Sequence, residues 1–174
     1  LTAGTYSIVV RDAAGCQITS SVTINEPPVL SFTSSQLNTT CGNANGQITI
    51  NANGGTPAYQ YSFNNGTTYQ AGNLLNGVTA GNYTVVVRDV NGCTTVSVIN
   101  VTNAPSPVIN TVPVVNSTCN GSDNGTITIN TSSGTAPLQF SINNGTTFQS
   151  GNIFSNLSPG NYQILVQDAN GCTA

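Results

Sequence analysis

The chain has 174 residues, of which 4% are charged, and its formal net charge at pH 7 is -3. Binding to nucleic acid or to an anionic membrane requires clustered lysine and arginine, and the sequence contains two such residues and no histidine. No apolar run approaches the roughly 18 residues that cross a bilayer. We therefore expect neither nucleic-acid binding nor membrane insertion, whereas 37% hydrophobic residues with little net charge predict a folded chain.

The sequence repeats about every 78 residues. Three copies of one motif show this: Ala3-Gly4-Thr5-Tyr6, Ala80-Gly81-Asn82-Tyr83 and Pro159-Gly160-Asn161-Tyr162. The period predicts three units: residues 1–26 form the C-terminal part of a repeat, residues 27–104 a complete repeat, and residues 105–174 a repeat that lacks most of its last strand. They are called the first, second and third unit below, and we expect them to be a window from a longer array.

Apolar residues recur at every second position of the second unit, which is typical of strands with one buried face. The sets expected to point inward are Ile48, Ile50 and Ala52; Tyr59, Tyr61 and Phe63; Tyr83, Val85 and Val87; and Val96, Val98 and Val101. No segment has a helical period. About seven strands per unit predict an all-β fold, with tandem immunoglobulin-like antiparallel β-sandwich repeats. Proline-rich junctions at residues 27–28 and 105–107 favour semi-rigid linkers and hence an extended rod.

Two kinds of turn are well defined by the sequence. Asn64-Asn65-Gly66 and Asn143-Asn144-Gly145 follow alternating strands and predict tight hairpins, since Asn-Gly tolerates positive φ. The segments 89–92 and 168–171 suit a type I turn followed by a left-handed glycine. The stretch that ends at Tyr83 resembles a tyrosine corner, in which a tyrosine at the start of a late strand caps the preceding loop.

One aspartate opens the second kind of turn in each unit. These residues are Asp12, Asp89 and Asp168, and we expect them to cap their turns. The alternative is a calcium ligand at the end of a unit, assisted by nearby carbonyl and asparagine oxygens. No other cofactor is expected.

The second and third units contain two cysteines each and the partial first unit contains one, which predicts disulfides and an oxidising, extracellular setting. One pairing joins Cys41 to Cys93 and Cys119 to Cys172 within units, and leaves Cys16 with a partner upstream. In an immunoglobulin-like topology, however, Cys41 and Cys93 would lie at opposite ends of the unit, too far apart for a bond. The second pairing therefore joins the end that carries Cys41 to the next unit's end that carries Cys172. Free or otherwise paired thiols are the third alternative.

Three successive segments together carry a resemblance to a known family. They are Cys41 to Ile50 (CGNANGQITI), Gly54 to Phe63 (GGTPAYQYSF) and Ala80 to Cys93 (AGNYTVVVRDVNGC). In this order they resemble the SprB repeats of large surface adhesins and other secreted proteins of gliding Bacteroidetes. The resemblance implies export by the type IX secretion system, display on the cell surface, and a role in adhesion or gliding. It supplies no catalytic residues.

Catalysis is not expected from this chain. Without histidine no Ser-His-Asp or Cys-His set can form, and paired general acid and base carboxylates are absent from every repeated position. Binding of surface glycans is the main competitor, because Tyr69 and Phe148 occupy one repeat position and could stack on sugars if exposed. Lateral self-association is a third role, since outward threonine and asparagine rows carry few charges that would guard strand edges.

The sequence thus predicts a structural repeat segment of a large extracellular adhesin or cell-surface filament, which acts in adhesion or gliding motility. Its partners would be neighbouring repeats of the same chain, laterally associated rods, and surface glycans. The alternative is an array of carbohydrate-binding β-sandwich modules in a secreted protein.

Overall fold

The computed structural model describes residues 1–119 and 121–174. Every regular element in these residues is a β-strand, and nearly all strands pair antiparallel. The all-β prediction is therefore confirmed. Within these described residues, strands of one unit pair only with strands of the same unit.

The first unit is a single hairpin of β1 (Gly4–Arg11) and β2 (Gln17–Ile24). Both faces of this hairpin are exposed: Ile8 on one face and Val9 on the other are 47% and 53% accessible. In the second unit the corresponding residues, Val85 and Val86, are buried. The hairpin therefore has the strand pattern of the repeat without the strands that would cover it.

The second unit contains two three-stranded antiparallel sheets. One has the order β3-β5-β7 and the other β6-β8-β9, and a short parallel pair, β4-β10, lies beside them. The strands are β3 (Ser31–Leu37), β4 (Thr39–Thr40), β5 (Gly46–Asn53), β6 (Gln60–Ser62), β7 (Leu74–Val78), β8 (Gly81–Arg88), β9 (Thr94–Val101) and β10 (Asn103–Ala104).

Side chains of both sheets form one core in the second unit. Ile48 and Ile50 of β5 pack in the same cluster as Val85 and Val87 of β8, and all four are fully buried. Burial of each such side chain stabilises the fold by about 1.5–3 kcal/mol. Threonine and asparagine alternate with the isoleucines on β5 and are more accessible, so the predicted alternation on this strand is confirmed.

The inward row predicted for β9 was partly wrong. Val96 and Val98 are 57% and 60% exposed, whereas Ile99 and Val101 are buried. The reason is the register: Ile99 lies opposite Tyr83, so it shares the core face with Tyr83 and Val85. The run from 96 to 101 has apolar residues at both parities, and only the pairing with β8 decides between them.

The third unit repeats this arrangement with shorter strands. Its strands are β11 (Pro107–Thr111), β12 (Val114–Val115), β13 (Gly125–Thr128), β14 (Asn130–Ser133), β15 (Gln139–Ser141), β16 (Ile153–Leu157) and β17 (Leu165–Gln167). β11 pairs with β14, β12 and β16 flank β13, and β15 pairs with β17. Ile127, Ile129, Phe140 and Val166 form its core.

The predicted turns and tyrosine corner are present. Asn65 and Gly66 have φ values of 57° and 78°, and Asn144 and Gly145 have 55° and 81°, which confirms the tight hairpins. The Tyr83 hydroxyl donates a hydrogen bond to the Thr79 carbonyl at 2.9 Å. Tyr6 and Tyr162 make the same bond with the residue four positions upstream, so the corner recurs in every unit.

Candidate functional site at the junction between units

The carboxylate of Asp89 organises the turn between β8 and β9. Its Oδ2 accepts a hydrogen bond from the Thr56 N–H at 2.9 Å, and its Oδ1 accepts from the N–H groups of Asn91 at 3.0 Å and Cys93 at 2.9 Å. The residue is almost fully buried. Because backbone donors are directional, this one carboxylate fixes both the turn and the loop that contains Thr56.

Asp168 makes the same set of bonds in the third unit. The N–H groups of Thr135, Asn170 and Cys172 donate to it at 3.0, 2.9 and 2.8 Å. In the exposed hairpin of the first unit, Asp12 accepts a bond from the Cys16 N–H at 2.9 Å. In each unit the aspartate therefore holds the cysteine four residues further on.

The hydrogen bonds set the charge state of the two buried aspartates. The N–H of Thr56 is the main cause that lowers the pKa of Asp89 below its ordinary value; the N–H groups of Cys93 and Asn91 add to it, and burial opposes it. For Asp168, the N–H of Thr135 has the largest effect in lowering the pKa. Each N–H donor favours the ionised carboxylate, so both are charged at neutral pH.

Cys41 lies at the opposite end of its unit, where the chain leaves for the third unit. The Thr39 N–H donates to the Thr102 carbonyl at 2.9 Å, and the Cys41 N–H donates to the Ala104 carbonyl at 3.0 Å. The Asn103 side chain accepts bonds from the Thr39 hydroxyl and the Gly42 N–H. The sequence did not reveal the roles of Thr39 and Asn103, because the first unit has Glu26 at the Asn103 position and the chain ends before a third equivalent.

A disulfide joins Cys41 of the second unit to Cys172 of the third, with a Cα–Cα distance of 5.3 Å. Of the three pairings left open by the sequence, the structure has the one between units. The pairing within units is wrong, because Cys93 and Cys119 are both free and exposed. The physical reason is the position of each cysteine: Cys41 is held beside Ala104, at the exit from the unit, and Cys93 is held by Asp89 beside the Thr56 loop.

Tyr69 and Phe148, the proposed glycan contacts, are both half-buried. The Arg88 guanidinium lies 4.2 Å from the centroid of the Tyr69 ring, so one face of this ring is already covered. Tyr69 also lines a cavity of about 350 Å³ with Tyr61, Phe63 and Tyr83. The structure thus places Tyr69 in an aromatic recess and not on a flat, open face.

The calcium alternative for the aspartates stays a prediction. No group of three or more histidine, cysteine, aspartate or glutamate side chains suited to a metal ion occurs within residues 1–119 and 121–174. The oxygens of Asp89 and Asp168 accept N–H donors in the structure. In the same described residues, no helix has the length and apolar character needed to span a bilayer.

The family model of the SprB repeat matches residues 33–68 and 111–147. Together they cover 73 of the 174 residues, and both segments are similar to SprB repeats. Each SprB match runs from the first sheet strand of its unit through the Asn-Gly hairpin, and so includes the cysteine at the Cys41 position. The resemblance inferred from the sequence is thereby confirmed for the second and third units.

Comparison with whole proteins adds little to this. No curated protein sequence matches the chain significantly. Among solved structures, extracellular domains 3-5 of Drosophila OTK match with a TM-score of 0.35 and 17% identity, over 99% of this chain and 68% of that chain. A TM-score of this size supports no inference.

Proposed function

We propose that this chain is a structural repeat segment of a large adhesin or filament on the cell surface, and that it acts in adhesion or gliding motility. The observation that carries the proposal is the disulfide between Cys41 and Cys172, which links two SprB repeats covalently. A bond between neighbouring units serves a protein that must keep its shape under tension. It does nothing for chemistry within a unit.

The proposal includes the shape of the molecule. Each unit is an immunoglobulin-like sandwich of about 78 residues, and the units follow one another in a rod. The two three-stranded sheets with a shared core support the sandwich. The short linker from Ala104 to Pro107 and the disulfide support a fixed direction from one unit to the next.

Location and export follow from the family and the chemistry. The resemblance to SprB repeats implies export by the type IX secretion system. A disulfide is retained in an oxidising compartment. We therefore place the chain on the outside of the cell. Antibodies raised against it should label intact cells as strongly as permeabilised cells, and labelling that requires permeabilisation would contradict this location.

Rods of this kind have a surface suited to lateral association. Val96 and Val98 of β9 are exposed on the second unit, and β9 lies at the edge of its sheet. Few charges protect these edges from pairing with another rod.

Binding of surface glycans through the aromatic recess near Tyr69 is the second candidate function, and it is favoured by the four aromatic side chains that line that cavity. A glycan array with the purified chain separates this candidate from a purely structural role.

Small-angle X-ray scattering tests the rod directly. A compact protein of 174 residues would have a radius of gyration of about 16 Å. Units of roughly 35–45 Å in single file, as strand rise and loops suggest, would give about 25–30 Å. A value near 16 Å under oxidising conditions would refute the rod, whereas the larger value together with beads at this spacing in electron micrographs would support it.

A further inference from the structure

We infer that the Cys41–Cys172 bond is one member of a repeating series, in which the cysteine at the Cys41 position of every unit pairs with the cysteine at the Cys172 position of the following unit. Each of the three remaining cysteines is then one of the two cysteines of a further bond in this series. Cys119 pairs with a unit that follows, and Cys16 and Cys93 pair with units that precede. The inference concerns partners of this chain and goes beyond the structural role proposed above.

The free cysteines occupy the same positions in their units as the bonded pair. Cys93 and Cys16 are four residues after the turn aspartate, as Cys172 is, and the same oxygen of that aspartate accepts the cysteine N–H in all three units. The backbone that presents the sulfur is therefore the same whether or not a bond is present.

The environment of these equivalent cysteines differs in one respect. Cys172 is 2% exposed, and Cys93, on an equivalent turn, is exposed. The unit that contains Cys172 is preceded by the unit that contains its partner, Cys41. The first unit, which precedes Cys93, begins after the position that corresponds to Cys41. Burial at this position thus accompanies the presence of the bonded neighbour.

An open groove lies beside Cys119, the residue of the third unit that corresponds to Cys41. Cys119, Ser117 and Thr118 line an open groove of about 490 Å³ together with Leu157 and Tyr162. In the second unit the corresponding space holds the segment from Thr102 to Ala104, which pairs with Thr39 and Cys41. The occupant that fits the groove is a strand of this same sequence type, and the unit that follows such a strand would present its cysteine to Cys119.

Formation of each bond is an ordinary thiol–disulfide exchange. Two cysteine thiols lose two protons and two electrons, and a disulfide oxidant of the exporting compartment accepts them and becomes a dithiol. Cys16, Cys93 and Cys119 are exposed and thus accessible to such an oxidant.

An extended chain tests the inference. Residues 96–174 are appended after Ala174, because Ala174 corresponds to Thr95 in the repeat and the register continues with Val96. The extension completes the third unit, adds a fourth, and adds second copies of Cys119 and Cys172. After oxidation in a glutathione buffer, the free thiols should remain three, as in the parent chain, because one new bond forms between Cys119 and the appended Cys172.

Thiol counting and peptide mapping together decide the outcome. Peptic peptides at low pH should link Cys119 to the C-terminal copy of Gly-Cys-Thr-Ala, which differs from the internal copy because no Val follows it. Cys119→Ser in the extended chain should raise the thiol count from three to four. Five free thiols, or a bond from Cys119 to Cys93 or Cys16, would overturn the inference.

A second measurement does not depend on folding of the extension. The polypeptide is isolated from the producing cells after thiols have been alkylated in place, and its disulfides are mapped. Cys16, Cys93 and Cys119 should each be found in a disulfide with a cysteine of another repeat. Their recovery as alkylated thiols would refute the series, while leaving the structural role proposed above intact.

Discussion

Tension on the chain should be carried through the disulfide and bypass most of the polypeptide. If the chain is pulled from residue 1 and residue 174, the bond between Cys41 and Cys172 removes 131 residues from the path. At about 3.3–3.6 Å per residue, the chain length that the disulfide prevents from extending is about 430–470 Å. The 40 residues before Cys41 and the two after Cys172 leave only about 140–150 Å that can extend.

Optical tweezers with handles on terminal peptide tags measure this contour without the use of cysteine chemistry. In the oxidised chain, full unfolding should release no more than about 150 Å. With reductant, or in Cys172→Ser, a further contour of roughly 450 Å should appear as the third unit and the rest of the second unit unfold. Cys93→Ser removes an exposed, free thiol and is the matched control, which should leave both traces unchanged.

Two results would refute the reasoning. Release of more than about 200 Å from the oxidised wild-type chain would mean that the bond does not close the path between the units. Identical traces with and without reductant would mean that residues 41–172 are not bridged in solution.

Three further predictions concern the turns, the glycines and the exposed hairpin. The lowered pKa values of Asp89 and Asp168 imply stability that is fully present above the ordinary aspartate pKa of about 4 and is lost as pH falls through the lower folded values. The melting temperature should therefore be level from pH 7 to pH 5 and fall below pH 4. The double variant D89N/D168N should be less stable at neutral pH and should lose less stability in acid, and an unchanged pH profile would contradict this. Gly54→Ala should destabilise the chain strongly in urea melts, because a Cβ there would lie 2.1 Å from the Val29 carbonyl oxygen. Gly92→Ala, with φ of 86° and open space around it, should cost only about 1–2 kcal/mol for its left-handed backbone. Equal losses of unfolding free energy in the two variants would show that the close approach at Gly54 relaxes freely. Trypsin should cleave the folded chain after Arg11, in the exposed hairpin, and spare Arg88, whose guanidinium donates to Gln60 and covers Tyr69; mass spectrometry after reduction reads both sites, and rapid cleavage after Arg88 would contradict this.

The sequence predicted those features that depend on a few neighbouring residues. Asn65-Gly66 requires positive φ at two successive positions, and Tyr83 needs only the carbonyl of Thr79, so local chemistry determines both. It also predicted the strands that alternate cleanly, such as β5, because an apolar residue at every second position leaves one choice of buried face.

Features that depend on pairing between distant residues could not be predicted in this way. The face of β9 is set by its register with β8, since Val96, Val98, Ile99 and Val101 are apolar at both parities. The partner of Cys41 is 131 residues away, and composition alone is equally compatible with Cys93. The contribution of Asn103, which holds the Thr39 and Gly42 end of the unit, has no equivalent among the other units to compare.

The order of cysteines along the chain has a consequence for an array that forms the full series of bonds. Cys16 and Cys172 occupy the same repeat position two units apart, and they are 156 residues apart in sequence. A path through the disulfide needs only the 25 residues from Cys16 to Cys41 and one bond with a Cα–Cα distance of 5.3 Å. Its greatest length is about 90–95 Å, against about 510–560 Å for the polypeptide without the bond.

Two folded units in single file would already span roughly 70–90 Å. In such a rod the covalent path would be almost taut, and unfolding of a unit would lengthen the rod very little. Under tension, a protein gains nothing by unfolding when the chain cannot extend, because mechanical work is force multiplied by the gain in length. The series of bonds would thus protect every unit that it spans, independently of how stable the small core of that unit is.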